Sequence, residues 1–226
     1  METTHANEIM QSVVAGYDTI AQHFAQTRQA PWLEFNDLKP LLISPCRLLD
    51  VGCANGRLLP WLQQNCQTLN YTGVDNSAGL LAIARSQFPQ HEFITASMLQ
   101  LPLPDAQFDI VACVAALQHI PSVAYRTQAL TELRRVTKPG GTLFMLNWDI
   151  YQSKFSVELT TPPAECDAGD IFVPWKNDQG EILAQRYYHA FSVAELTELC
   201  TKTGWQVITC APSAGGHNLV TIAKPA

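Results

Sequence analysis

Short apolar runs alternate with helix-like segments through the middle of this chain, and that alternation limits the folds it can adopt. The runs predict buried strands at residues 47–51, 71–75, 92–95, 108–115 and 141–148. Helical periodicity follows three of them, at residues 57–64, 77–86 and 122–137. Strands joined through helices form right-handed crossovers in a parallel sheet that is covered on both faces. The pattern therefore predicts a doubly wound α/β domain.

Segments on either side of this core extend the prediction. Before it we expect helices over residues 6–26 and 33–42, and after it a helix over 192–203 and strands at 205–210 and 217–223. A pair of glycines between the last two strands permits a hairpin. We therefore expect a mostly parallel, seven-stranded sheet whose last strand is antiparallel.

The chain length fits one domain. Its 226 residues, 47% of them hydrophobic, can bury one core. We expect a domain over residues 1–226, with N-terminal helices at 1–44 covering the site, a cofactor-binding core at 45–149, a substrate lid at 150–190 and a C-terminal helix and strands at 191–226. Within the lid, residues 150–180 show no periodicity and predict a long functional loop.

Charge and cysteine content argue against several classes of function. The formal net charge is -6, and phosphate contacts need clustered Lys and Arg, so nucleic acid is a poor default partner. The seven cysteines are scattered without a C-x-x-C motif, which argues against a disulfide framework and predicts no metal site. The first residues lack the basic and apolar regions typical of a signal peptide, and no apolar run reaches about 20 residues. We expect a cytoplasmic protein without membrane association.

The turn after the first predicted strand carries the first chemical signal. It reads D-V-G-C-A-N-G from Asp50 to Gly56, and a second acid, Asp75, ends the next strand. In an open α/β sheet, ligands bind at the carboxyl ends of the strands where the strand order reverses. Glycines let the backbone approach a ligand closely. The two acids can accept hydrogen bonds from a ligand's cation and from ribose hydroxyls.

Two cofactor classes use this geometry. Dinucleotide folds need G-x-G-x-x-G to hold a pyrophosphate, and Ala54 stands where their second glycine belongs. The spacing D-x-G-x-x-x-G suits S-adenosylmethionine (SAM), which has an amine, a carboxylate and a sulfonium but no pyrophosphate. By motif alone the dinucleotide alternative stays open, as does a glycine turn that merely closes a strand–helix corner.

Four segments together resemble the successive motifs of the class I SAM-dependent methyltransferases. They lie at residues 50–56, 73–77, 101–109 and 136–141. The resemblance implies a Rossmann-like fold, SAM as cofactor and S-adenosylhomocysteine as product. Ser97 stands where the family usually has an acid beside the adenine. The implied cofactor residues are Tyr17, Asp50, Gly52, Cys53, Gly56, Asp75, Asn76, Ser97, Met98, Cys113 and Val114.

Segments near both ends resemble the tRNA wobble-uridine carboxymethyl methyltransferases, the Trm-nine and ALKBH-eight methyltransferase-domain family. These segments are residues 17–32, 170–175 and 186–189. The resemblance implies methyl esterification of 5-carboxymethyluridine in a tRNA anticodon. A carboxylate is ionised at neutral pH, so its attack on the sulfonium methyl needs no general base.

The reaction still needs a group that holds the acceptor carboxylate. Arg28 is our candidate because a guanidinium binds a carboxylate bidentately, although a solvated arginine after a helix would look the same. His119 matches the second histidine of a pair in the family, and Gln118 replaces the first. It is a candidate catalytic residue or a structural histidine.

Aromatic and cationic residues toward the two ends are candidates for binding the acceptor. Aromatic rings can stack on a splayed base and cations can grip phosphate, but the same residues can equally pack a loop. The candidate substrate residues are Arg28, Trp32, Trp175, Arg186 and His189.

Two departures from the family favour alternatives. The cations at residues 126–138 are few, are interrupted by Glu132, and look like a solvated helix face. The acidic balance and the missing histidine favour a methyltransferase for a small-molecule carboxylate, and a non-catalytic adaptor is a third hypothesis. We therefore expect tRNA or a small carboxylate as acceptor. Eukaryotic relatives work with a small zinc-binding activator, which we consider as a partner.

Overall fold

Nine strands are present in the computed structural model, which describes residues 1–28, 30–151 and 165–226. In chain order they are β1 (Cys46–Val51), β2 (Leu69–Asp75), β3 (Glu92–Thr95), β4 (Phe108–Val114), β5 (Thr137–Trp148), β6 (Asp170–Lys176), β7 (Ile182–His189), β8 (Trp205–Pro212) and β9 (Asn218–Pro225). The helices are α1 (Thr3–Thr27), α2 (Leu59–Asn65), α3 (Ala78–Gln87), α4 (Val123–Val136) and α5 (Val193–Lys202). Short 3₁₀ turns lie at Leu33–Asp37, Lys39–Leu41 and Leu117–His119.

Seven of the strands form the central sheet, in the order β3-β2-β1-β4-β5-β9-β8. Strands β1 to β5 pair in parallel, and β9 pairs antiparallel with both β5 and β8. The predicted doubly wound, mostly parallel sheet with an antiparallel last strand is confirmed. Strand order reverses between β1 and β4, which places a ligand crevice at the carboxyl ends of these two strands.

The sheet is buried on both faces, as the apolar runs predict. Leu48 and Leu49 are adjacent on β1 and completely buried, yet they belong to separate apolar clusters. Successive side chains of a strand point to opposite faces of the sheet. One cluster packs against α4 and α5, and the other against α2 and α3.

Serine hydroxyls cap three helices at their N-termini. Ser77 Oγ accepts from the amide of Leu80, and Ser122 Oγ accepts from the amide of Tyr125. Ser192 Oγ accepts from the amide of Glu195, as the sequence predicts for α5. These bonds satisfy amide groups that lack partners within the helix.

The region expected to be a loop contains an antiparallel hairpin, β6–β7. The loop prediction is therefore wrong for Asp170–Lys176, while residues 152–164 of the expected lid lie outside the described residues. At the hairpin turn, Asn177 Oδ1 accepts from the amides of Gln179 and Glu181. Strand β7 packs against α1 and against the 3₁₀ turn after β4. The hairpin thereby joins the N-terminal helix to the edge of the sheet where the ligand crevice lies.

All seven cysteines are free thiols. Within the described residues, no group of three His, Cys, Asp or Glu side chains could hold a metal ion. Over the same residues, no helix is both long and apolar enough to cross a bilayer.

Candidate cofactor and acceptor site

A pocket opens at the carboxyl ends of β1, β2 and β4, beneath α1 and β7. It brings together residues from seven separate parts of the chain, although they lie far apart in the sequence. Of the predicted site residues, its lining includes Tyr17, Arg28, Trp32, Asp50, Gly52, Cys53, Asp75, Asn76, Met98, Val114, His119 and Arg186. Gly56, Ser97, Cys113, Trp175 and His189 do not line it.

The glycine turn forms the floor of the pocket. Gly52 has a φ of +76°, and a Cβ added there would lie 2.2 Å from Cβ of Ala116. Gly56 has a φ of +78° and packs against the ring of Phe88. Only glycine adopts this backbone conformation freely. Gly56 therefore shapes the turn without touching the pocket.

Asp75 is held at the end of β2 by two backbone amides. Its Oδ2 accepts from Ala54 N at 2.9 Å, and its Oδ1 accepts from Ser77 N at 2.9 Å. Each carboxylate oxygen keeps a further lone pair. Burial raises the pKa of the carboxyl group. The geometry suits acceptance of hydrogen bonds from two neighbouring hydroxyls.

Asp50 presents an unpaired oxygen to the pocket. Its Oδ2 accepts from the hydroxyl of Tyr71 at 2.9 Å, whereas its buried Oδ1 has no hydrogen-bond partner in the described structure. Burial raises the pKa of Asp50 to about 7. Asn55 Oδ1, in the same turn, is likewise buried without a partner among the described residues. Both residues line the pocket, and each oxygen is able to accept a hydrogen bond from a cationic donor. Sequence analysis missed Asn55, although a polar side chain inside a glycine turn is a usable signal.

Three guanidinium groups, those of Arg28, Arg57 and Arg186, line the pocket. None of them forms an ion pair with a carboxylate of the described residues. Instead they lie over aromatic rings: Arg57 Cζ is 4.2 Å from the ring centre of Trp32, and the other two lie over Trp175 at 5.0 and 4.7 Å. Such cation–π contacts hold a guanidinium without neutralising it.

The cationic character of the pocket follows from this arrangement. Burial lowers the pKa of Arg57 to about 10. Burial also lowers the pKa of Arg28, and the nearby charge of Arg186 lowers it further. Arginine side chains are cations in proteins, so the pocket favours anionic ligands. Arg57 was not predicted because it directly follows the glycine motif and looks like a helix-start residue.

Trp175 lies behind Arg28 and Arg186 instead of on the pocket wall. Its indole Nε1 donates to Nδ1 of His23 at 2.8 Å, which fixes the ring. The ring is buried and supports both guanidinium groups. Stacking of Trp175 on a base, as expected from sequence, does not match this position.

His119 is held in one tautomer by its two partners. Its Nδ1 lies 2.8 Å from the carbonyl oxygen of Tyr187, which can only accept, so Nδ1 carries the proton. Its Nε2 lies 2.9 Å from the hydroxyl of Tyr17 and accepts from it. Burial lowers the pKa of His119 to about 4. The ring is therefore neutral, and both nitrogens are already engaged.

The alternation of side chains along β7 decides which of its residues reach the pocket. Arg186 and Tyr188 face the pocket, whereas Tyr187 and His189 face the opposite side. His189 is buried, with Nδ1 2.6 Å from Asp170 Oδ1 and Nε2 bonded to Glu195 at 2.8 Å. His189, expected to bind substrate, therefore lies outside the pocket and joins the hairpin to α5.

Tyr188 is the pocket residue that sequence analysis missed on this strand. Its ring stacks on Trp148 with centroids 5.1 Å apart and lies 4.5 Å from the ring of His119. Its hydroxyl accepts from Arg186 Nη1 at 2.7 Å. Tyr188 thereby connects the arginine on β7 to the turn after β4.

Two predicted cofactor residues lie just behind the pocket wall. Ser97 Oγ accepts from the amide of Leu99 at 3.2 Å, while the flanking Ala96 and Met98 line the pocket. Cys113 is completely buried in the apolar cluster beneath the sheet, and the next residue, Val114, lines the pocket. Strand alternation again separates the neighbours.

The chain is similar to methyltransferases over most of its length. A sequence family described as a methyltransferase domain matches residues 49–145. A protein of Encephalitozoon cuniculi that is named as a methyltransferase is 31% identical over 195 residues, which are 85% of this chain and 86% of that protein. The tRNA (carboxymethyluridine(34)-5-O)-methyltransferase of Schizosaccharomyces pombe is 28% identical over 226 residues, covering 92% of this chain and 93% of that protein.

Solved structures share the fold. A chain from the complex of the Haloferax volcanii Trm112 methyltransferase activator with a methyltransferase superposes with a TM-score of 0.68 at 17% identity. The match covers 95% of this chain and 98% of that one.

The polar groups of the pocket fit SAM. Asp75 suits the ribose hydroxyls, the unpaired oxygens of Asp50 and Asn55 suit the ammonium group, and an arginine suits the methionine carboxylate. The chain belongs to the class I SAM-dependent methyltransferases, enzymes that take SAM as cofactor and release S-adenosylhomocysteine, and within that class it resembles the tRNA wobble-uridine carboxymethyl methyltransferases.

Proposed function

We propose that this methyltransferase esterifies the carboxylate of a 5-carboxymethyluridine-type nucleoside at the wobble position of tRNA. The observation that carries the proposal is the cluster of Arg28, Arg57 and Arg186, which has no carboxylate partner among the described residues. The cofactor brings one carboxylate, which one guanidinium can bind bidentately. Two cations remain, and they suit an acceptor that is itself anionic.

We assign the three arginines to two subsites. Arg57 follows the glycine turn, and the charge of Asp50 acts on it, so it would bind the methionine carboxylate of the cofactor. Arg28 and Arg186 share the ring of Trp175 and would hold the acceptor carboxylate. Asp75, Asp50 and Asn55 would hold the rest of the cofactor, with Ala96 and Met98 beside the adenine.

The chemistry asks little of acid–base groups. The bound cofactor supplies an electrophilic methyl group on its sulfonium. The acceptor carboxylate is already ionised, so no residue has to remove a proton. His119 agrees with this, because its ring is neutral and both nitrogens are engaged. The arginines orient one carboxylate oxygen toward the methyl carbon, and such positioning can contribute several kcal/mol, up to about 7 to 11 in favourable cases.

The tRNA part of the proposal is supported by the name of the Schizosaccharomyces pombe relative, which this chain matches over nearly its whole length. The comparisons give no support to the small-molecule alternative. A tRNA acceptor would also imply a cytoplasmic location.

The cations around α4 do not supply a free surface for the tRNA. Arg126 is completely buried, and Arg134 donates to the carbonyl oxygens of Gly204 and Ala226. Arg135 pairs with Glu132 and Asp105, and Lys138 pairs with Asp109. These cations, which were expected to form a solvated helix face, are thus engaged within the fold.

A partner could supply the missing basic surface. We propose an activator of the Trm112 kind, because a chain of similar fold was solved in complex with that activator. Such a subunit would contact the polyanionic backbone while this chain holds the wobble nucleoside.

The test is nucleoside mass spectrometry after incubation with methyl-labelled SAM. The substrate is tRNA carrying 5-carboxymethyluridine, with and without the activator, and the control is the same tRNA with unmodified uridine. We expect a labelled, alkali-labile methyl ester on the modified tRNA alone. Absence of this ester under both conditions, from protein that binds S-adenosylhomocysteine, would refute the tRNA carboxylate as acceptor.

A further inference from the structure

The side-chain amide of Gln118 has an orientation that the backbone determines. Gln118 lies in the 3₁₀ turn Leu117–His119, directly after β4. The amide nitrogen of Trp148 donates to Gln118 Oε1 at 2.7 Å. A backbone N–H can only donate, so the atom that faces it is the side-chain oxygen. The side-chain nitrogen, Nε2, must therefore point away from β5.

That nitrogen is a buried donor without an acceptor. Gln118 is 1% exposed and lines the pocket. Its Nε2 has no hydrogen-bond partner within the described residues. Buried polar groups in native proteins are nearly always hydrogen-bonded, so an orphan in a binding pocket calls for an explanation. A ligand oxygen would satisfy it.

The neighbours of Gln118 place it on the acceptor side of the pocket. The ring of Tyr188 lies 4.5 Å from the ring of His119, which is the residue after Gln118. The same ring stacks on Trp148, whose backbone amide donates to Gln118. The hydroxyl of Tyr188 in turn accepts from Arg186. Gln118 and Arg186 thus belong to one wall. The unpaired oxygens that suit the cofactor ammonium lie instead at the end of β1 and in the turn after it.

We propose that Gln118 Nε2 donates a hydrogen bond to the acceptor carboxylate and so positions it for methyl transfer. This inference rests on the proposed function. A carboxylate has two oxygens with about four lone-pair sites, so it can accept from Gln118 and from the arginines while one oxygen attacks the methyl carbon. The C–O bond then forms as the S–CH₃ bond breaks, and the sulfur keeps the bonding electron pair.

Gln118→Glu is the sharpest variant. The new side chain is nearly isosteric and keeps an oxygen for the amide of Trp148, but it replaces the donor with a negatively charged acceptor. Gln118→Leu removes the donor without adding charge. Gln206→Glu makes the same chemical change on the exposed side of β8 and serves as the control.

The measurements are the Kd for S-adenosylhomocysteine and the KM and kcat for carboxymethyluridine tRNA at pH 8. For Gln118→Glu we expect a Kd within about twofold of wild type and kcat/KM lowered roughly 10- to 100-fold, the factor for a charge-assisted hydrogen bond. Gln118→Leu should lower kcat/KM by a smaller factor, and Gln206→Glu should leave it unchanged. If Gln118→Glu does not fold, Gln118→Leu alone must show the same split, with kcat/KM lowered and Kd unchanged.

Three results would overturn the assignment. Equal losses of cofactor affinity and turnover would show that Gln118 serves the cofactor. Equal losses in the Glu and Leu variants would show that the contacted oxygen is not anionic, and wild-type kinetics in both would show no contact. Failure of the wild-type enzyme to methylate the tRNA would be a different result, because it refutes the proposed function and this inference with it.

Discussion

The hydroxyl of Tyr17 lies 2.9 Å from Nε2 of His119 and joins α1 to the turn after β4 across 102 residues of sequence. Because Nδ1 of the same ring is bonded to the backbone of β7, one histidine connects three separate elements over the pocket. Both bonds are partly buried, and loss of a partner costs more there than at a fully exposed site.

Tyr17→Phe should loosen this connection. The substitution keeps the ring and removes the donor, which leaves Nε2 of His119 without this hydrogen bond. We expect the free energy of unfolding to fall by about 1 kcal/mol, measured by denaturation with and without S-adenosylhomocysteine. Tyr151→Phe, at a side chain that is 60% exposed, is the matched control and should change nothing. Equal stability of both variants would contradict the structural role of the bond.

Arg28→Ala should separate acceptor binding from cofactor binding. Removing a guanidinium from the acceptor subsite should leave the Kd for S-adenosylhomocysteine nearly unchanged and lower kcat/KM at least roughly 10-fold. Binding calorimetry and initial rates measure the two quantities. Arg47→Ala removes an exposed arginine outside the pocket and should retain activity. Similar losses of affinity and turnover in Arg28→Ala would place this residue in the cofactor subsite.

Asp75→Ala should weaken cofactor binding, in contrast to Arg28→Ala. It removes the acceptor proposed for the ribose hydroxyls and frees the amides of Ala54 and Ser77. We expect binding of S-adenosylhomocysteine to weaken by about 1 to 3 kcal/mol, or roughly 5- to 150-fold in Kd. Asp105→Ala, at a carboxylate that is 75% exposed, provides the comparison by calorimetry. An unchanged Kd in Asp75→Ala would exclude the ribose assignment.

Cofactor affinity should depend on pH through Asp50. Burial raises its pKa to about 7, so the carboxyl group is protonated below that pH when no cofactor is bound. An ammonium group favours the ionised form, and binding therefore releases a proton below pH 7. We expect the Kd for S-adenosylhomocysteine to rise by up to about tenfold per pH unit below 7 and to stay level just above it.

Asp50→Asn provides the control for this pH dependence. The asparagine side chain cannot titrate. We therefore expect a Kd for S-adenosylhomocysteine that is higher than that of the wild type at pH 8 and constant across the pH range. The same raised pKa predicts that Asp50 stabilises the cofactor-free fold below about pH 4 and that this stability is lost as the pH rises through 7, because the folded state binds the proton more tightly than the unfolded chain. A wild-type Kd that is constant from pH 6 to 8 would contradict the link to Asp50.

Much of the fold could be predicted because the strands of a parallel sheet covered on both faces contain runs of apolar residues that are visible in the sequence. Strand β4, for example, contains adjacent apolar residues from Ile110 to Cys113, since side chains on both of its faces are buried. The strands of the hairpin β6–β7 contain no such apolar run. Its residues mix Pro174, polar groups and aromatics, because one face contacts charged side chains of the pocket and the other the buried group of Asp170 and His189.

The candidate site could be predicted only in part. The cofactor motif is contiguous, so its residues were identified from spacing. Arg57 follows the cofactor motif, and Tyr188 lies within the segment 186–189, but neither was singled out as a site residue. His189 of the same segment was expected to bind substrate, although it faces away from the pocket. A strand's two faces are indistinguishable in sequence when both are buried, and only the packing of β7 on α1 selects Arg186 and Tyr188 for the pocket.

By itself the sequence determined the strands and helices of the central sheet and the two acids at the strand ends, because periodicity and turn chemistry act over a few neighbouring residues. Only the tertiary structure decided that Arg28, Arg57 and Arg186 share one pocket without a carboxylate partner among the described residues. Their charges come from the end of a helix, a turn and a strand that are up to 158 positions apart in the numbering. The packing of α1 and β7 over the sheet brings these charges together, and no local pattern encodes that contact.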